Sequence, residues 1–166
     1  TLDAVYDSIK ALGIIVEKER EASELVAKMK KEFDAVRHKA KIMGRKPKVY
    51  VEEWHLPPMA SGNWVPEVVA AAGGIAFPIR SGELSREVTL AEVQAFDPDL
   101  IVISWCGAGR LSDKNIVLKR EGWGSLRAVQ NNQVRVIDDS LLNRPGPRLV
   151  EGAKQLYGWL FEMLHS

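Results

Sequence analysis

The sequence predicts an α/β fold: a mostly parallel sheet flanked by helices, a Rossmann-like lobe, preceded by a long backbone helix. Three observations carry this. Residues 100–105 (LIVISW) are a nearly continuous apolar run, the pattern of a parallel strand buried on both faces. From residue 48 onward, strand-like and helix-like segments alternate, as βαβ units do. Residues 19–43 hold an apolar stripe, Ala22, Leu25, Val26, Met29, Phe33, Val36 and Ala40, in steps of three and four. About 25 helical residues span roughly 37 Å. A coiled-coil dimer is the competing reading of that stripe, weakened because the pattern lasts barely three heptads.

The remaining elements follow in order. Residues 1–12 read as a helix with Thr1 as N-cap, Gly13 as terminator and a stripe of Leu2, Val5, Tyr6, Ile9 and Leu12. Gly44 and Pro47 stop the long helix. A strand over 48–54 is followed by a loop over 55–63, rich in Pro and Gly. A helix over 64–72 ends at Gly73 and Gly74. Another, over 88–96, carries Thr89 as N-cap and Glu92 three residues on, a capping box. Asp97 and Pro98 break it before the buried strand. After a loop over 107–112 come short helical pieces over 113–120 and 123–129 and a strand over 134–138. A closing helix over 147–164 has Pro147 near its first turn.

Composition narrows the function classes. The 166 residues are 46% hydrophobic and 27% charged with a formal net charge of +1, an ordinary globular balance. That balance gives no global electrostatic case for binding nucleic acid. Charge is nevertheless uneven: residues 17–48 carry eleven Lys/Arg against six Asp/Glu, and residues 49–166 carry eleven against fourteen. No apolar run approaches the 18 or so residues of a membrane span, and the opening residues, Thr1-Leu-Asp, read as the start of a helix rather than as a signal peptide. A single cysteine, Cys106, precludes an internal disulfide.

Catalytic signals are weak. His38, His55 and His165 lack metal-ligand spacing relative to one another or to Cys106. Gly107-Ala-Gly-Arg follows a buried strand, where a phosphate-binding turn belongs, but lacks the third glycine and the long helix opening directly after it. Ser104 and Ser125 have no nucleophile-elbow context. Nothing requires an enzyme. Ligand signals are better, because open α/β sheets bind ligands beyond the carboxyl ends of their strands. Residues 53–55, 105–107 and 138–148 occupy such ends. The last, DDSLLNRPGPR, presents Asn143 and Arg144 on a backbone stiffened by prolines, which suits a polar, partly anionic ligand. Glu67, near a helix start, is favourable there in itself.

In their order and spacing, residues 49–64 (VYVEEWHLPPMASGNW), 70–74 (AAAGG), 88–93 (VTLAEV), 97–103 (DPDLIVI), 123–129 (WGSLRAV) and 144–152 (RPGPRLVEG) resemble the C-terminal half of the class III periplasmic-type binding proteins of ABC importers. The cobalamin-binding branch matches best, alongside siderophore and haem receptors. The resemblance implies a non-enzymatic, extracytoplasmic receptor, periplasmic or anchored at the cell surface. Such a receptor clamps cobalamin as a transported ligand, not a cofactor, and delivers it to an ABC permease. It implies three parts: residues 1–16 as the remnant helix of a missing N-terminal lobe, 17–46 as the interlobe backbone helix, and 47–166 as the ligand-binding lobe. Trp54, His55, Arg86 with its loop from Ser81, Trp105, Asn143 and Arg144 would wall the cleft, and Glu67 would dock into a basic pocket of the permease. A lobe without its partner would expose the stripes of residues 1–43 and self-associate through them as a homodimer. Ferric siderophore or haem is the alternative ligand, and a cytosolic α/β nucleotide-binding enzyme domain using the Gly107 turn is the alternative of another class.

Overall fold

The computed structural model describes residues 1–165, with the Arg110 side chain left out. Helix α1 (Leu2–Ile15) opens at Thr1, whose hydroxyl accepts the Ala4 N–H at 3.1 Å. Helix α2 (Glu19–Ala40) runs into a 3-10 turn (Lys41–Met43) that ends at Gly44, at φ +73°, a left-handed conformation suited to glycine. Then come β1 (Lys48–His55), β2 (Pro58–Ala60), α3 (Val65–Ala71), β3 (Ile75–Ala76) and β4 (Arg86–Glu87). The chain finishes with α4 (Leu90–Phe96), β5 (Leu100–Ile103), α5 (Lys114–Leu118), α6 (Arg127–Gln130), β6 (Val134–Val136) and α7 (Leu149–His165). Both halves of the Thr89–Glu92 capping box are present.

The sheet is mixed. Strands β3, β1, β5 and β6 are parallel, as expected, and β2 and β4 add an antiparallel margin in the order β4-β2-β1-β5-β6. That margin corrects the expected loop over 55–63. Strand β1 continues to His55, turns over Leu56 and Pro57, whose peptide bond is cis, and β2 returns with Trp54 opposite Met59. Pro58 is tolerated because it is the first residue of its strand.

Alternation along β1 and β5 builds two cores. Val49, Val51, Leu100 and Val102 face α1, α2, α3 and α7, packing with Met29, Phe33, Val68 and Leu156. Tyr50, Ile101 and Ile103 face the other way, onto Val93, Val117, Trp123 and Leu126. The stripe of α2 is therefore part of this lobe's own core: Val26, Met29, Phe33 and Val36 are buried, as are Leu2, Val5 and Tyr6 of α1. The expected exposure of these stripes is not found. Exposed large aliphatics in this region are confined to Leu12, Ile14, Ile15 and Val16 at the α1–α2 corner and to Ile42. No helix among the described residues is long and apolar enough to cross a membrane.

Candidate functional site

The carboxyl ends of β1, β5 and β6 converge on one surface. At the end of β1, Trp54 is exposed and hydrogen-bonds the Leu56 carbonyl through its indole N–H at 3.1 Å. Its ring lies 5.1 Å from that of His55, which lies 4.5 Å from that of Trp105, with tilts of 43° and 38°. The three rings form a tilted stack that runs from solvent into the core. Trp105 is its buried back, 4% exposed, not an open wall as the sequence suggested. Its indole N–H donates to Glu52 Oε1 at 3.0 Å, which fixes the ring.

Two further expected residues are engaged within the protein. The Asn143 amide donates to the Ser104 carbonyl and to Cys106 Sγ, and accepts the Ser104 hydroxyl at 3.2 Å, so it ties the loop after β6 to the end of β5. Arg144 is exposed and lies 3.7 Å from Asp139, a loose ion pair that leaves the guanidinium open to solvent. Cys106 is exposed as a residue; partial burial of its sulfur and the Glu53 carboxylate push the thiol up, opposed by the Asn143 amide.

Arg86 does not join this group. It pairs with Glu92 at 2.9 Å, lies over Phe77, and lines a groove of 360 Å³ with Phe96 and Lys48, which opens β1 at the far end from Trp54. The loop before it does reach the site: the Ser85 hydroxyl donates to Glu53 and accepts the Gly62 N–H. Gly62 is required there, because a Cβ would sit 2.4 Å from the Glu83 carbonyl oxygen. Glu67 lies in the first turn of α3, half-buried, accepting the Leu2 N–H at the start of α1. It lines a 430 Å³ cleft with Tyr6, Lys30 and Arg37. Burial pushes the Tyr6 phenol up; Arg37 opposes this and the carboxylates of Asp3 and Glu67 add to it.

Sequence reasoning missed three residues here. Glu52 and Arg120 form a buried ion pair behind the stack, at 2.7 Å. Asp139, itself buried, accepts the N–H groups of Gly107 and Gly109 at 3.1 and 3.0 Å. The amides a phosphate would need are thus occupied by a carboxylate. A charged residue inside an apolar strand was the available signal for Glu52, since an unpaired buried carboxylate is not tolerated. Among the described residues, no three or more His, Cys, Asp or Glu side chains are grouped to hold a metal ion.

The family described as periplasmic binding protein matches residues 1–141. An ABC transporter substrate-binding lipoprotein of Bacillus subtilis strain 168 is 28% identical over 160 residues, covering 92% of this chain and 48% of its own. A vitamin B12-binding protein of Vibrio cholerae is 29% identical over 102 residues, 61% of this chain and 35% of its own. The chain thus spans about half the length of one relative and about a third of the other. A periplasmic heme-binding protein from Roseiflexus sp. RS-1, in apo form, shares the fold at a TM-score of 0.83 with 22% identity, over 99% of this chain and 64% of that one. With the match running across α1, α2 and the sheet, the chain belongs to the periplasmic binding protein family, in its class III form.

Proposed function

We propose that this chain is the backbone-helix and C-terminal-lobe part of an ABC importer's substrate-binding component. In this reading it captures cobalamin outside the membrane, in the periplasm or anchored at the cell surface, and hands it to a permease. The observation that carries the reading is the Trp54–His55 face at the carboxyl end of β1, in a family one of whose members is named for binding vitamin B12. An exposed indole backed by an imidazole offers area to a flat macrocycle, and the open guanidinium of Arg144 suits polar groups at its rim. Trp105, Asn143 and the loop ending at Arg86 support that wall from behind and beside it. Haem or a ferric siderophore is the alternative ligand, since relatives by fold include a heme-binding protein. Glu67 is our candidate for the permease contact, a carboxylate meeting a basic pocket and setting register and on-rate. The nucleotide-enzyme alternative is disfavoured by Asp139, which a phosphate would have to expel from the Gly107 turn. Any self-association through residues 1–43 would have to use the Leu12–Val16 corner or Ile42, and monomeric sedimentation at high concentration removes it.

The test is calorimetric titration with cyanocobalamin, haemin and a ferric hydroxamate, on the chain and on its longest natural form. Saturable binding of cyanocobalamin alone supports the reading; binding of haemin or the hydroxamate alone moves the ligand; no binding of any overturns it.

A further inference from the structure

The stack at the end of β1 is held from behind by a charge cluster that ligand contact leaves without a role. Glu52 is 0% exposed. Arg120 grips both its oxygens, at 2.7 and 2.9 Å, the Trp105 indole N–H donates to Oε1, and the Tyr50 hydroxyl donates to Oε2 at 3.2 Å. The Arg120 guanidinium lies 4.2 Å from the centre of the Trp123 ring, and its Nη2 also reaches the His55 carbonyl at 3.4 Å. A buried ion pair of this kind adds little stability over a well-packed apolar replacement. Its geometry does something an apolar pair cannot: through the Trp105 N–H it fixes one ring of the stack, and through the His55 carbonyl it fixes the chain that carries the next.

We propose that Glu52 and Arg120 are positioning residues for the ligand wall, and that their fork of hydrogen bonds presets the tilt of the Trp54–His55–Trp105 stack before ligand arrives. This rests on the reading that the stack meets the ligand. A preset wall avoids the ordering cost of binding.

Arg120→Lys is the discriminating variant. Lysine keeps the positive charge beside Glu52 but lacks the planar fork that spans both carboxylate oxygens and the His55 carbonyl. In protein labelled with 5-fluorotryptophan, each tryptophan gives its own fluorine resonance, assigned by single Trp→Phe substitutions. The expected result is broadening or splitting of the Trp54 and Trp105 lines in Arg120→Lys, with Trp64 and Trp159 unchanged. Affinity for whichever of the three chelates the wild-type protein binds falls by roughly tenfold, the size of one lost charge-assisted hydrogen bond. Should that variant fail to fold, the double variant Glu52→Gln/Arg120→Met leaves no buried charge and gives the same readout. Unchanged Trp54 and Trp105 lines, with wild-type affinity retained, overturn the positioning role alone. Absence of binding in the wild-type protein overturns the underlying ligand reading, and is measured before any variant.

Discussion

Two buried carboxylates sit at opposite ends of the sheet and are handled in opposite ways. Asp99, just before β5, takes Arg45 at 2.6 Å, Arg127 at 2.9 Å and the Lys48 N–H at 2.8 Å, and both arginines lie about half in solvent. Glu52, near the end of β1, has one arginine, and that arginine is 15% exposed. The first carboxylate is a staple with spare partners in contact with water. The second is sealed and depends on a single cation. Redundancy sits at the end away from the proposed ligand surface, and fixed geometry sits beside it.

Removing Arg120 is the severest way to break this contrast. Arg120→Ala strands a fully buried carboxylate and is expected to lower the unfolding free energy by about 3–5 kcal/mol in urea titration. Next in size is Arg144→Ala, at the same end of the sheet but exposed. It is expected to weaken ligand binding by about 1–3 kcal/mol by calorimetry while leaving the unfolding midpoint in place, because its loose contact with Asp139 holds nothing together. The Asp99 end is probed by pH. Burial pushes the Asp99 carboxyl up, but the Lys48 N–H, Arg127 and Arg45 outweigh it and hold it below the ordinary 3.8. A lowered folded value stabilises the fold above the ordinary aspartate range, and that contribution is lost as the pH falls through about 4 into the depressed value. Asp99→Asn is therefore expected to flatten the acid side of a stability-against-pH curve, measured by thermal melts from pH 6 downward. The smallest effects test redundancy itself. Arg45→Ala is expected to change stability by no more than ~1 kcal/mol, since Asp99 keeps Arg127 and an amide. Lys154→Ala, which breaks exposed bridges to Glu32 on α2 and Glu151 on α7, is expected to fall in the same range.

What could be read from the sequence was local. Thr1 and the Thr89–Glu92 box sit three residues from the groups they cap, and β5 is apolar throughout, so their signals lie within one window. Strands β2, β3 and β4 are two or three residues long and exist because a neighbour offers them an edge, β1 for β2 and β3 and β2 for β4, so no periodicity in their own residues could show them. The site failed for the same reason at longer range. Glu52 and Arg120 stand 68 residues apart, and Asp139 stands 32 from Gly107. Their strand-end positions place Trp54 and Trp105 in one stack on either side of His55, but which of them faces water depends on Glu52 claiming the Trp105 N–H.

The burial of α2 has a mechanical meaning. Val26, Met29, Phe33 and Val36 pack into the core that α3 and α7 share, along most of the helix. Flexing α2 in its middle would pull four side chains out of a close-packed interior. The helix is a lever welded to the lobe: a torque applied at Glu19 is passed to the whole sheet, and α1, whose Leu2, Val5 and Tyr6 share that core, moves with it.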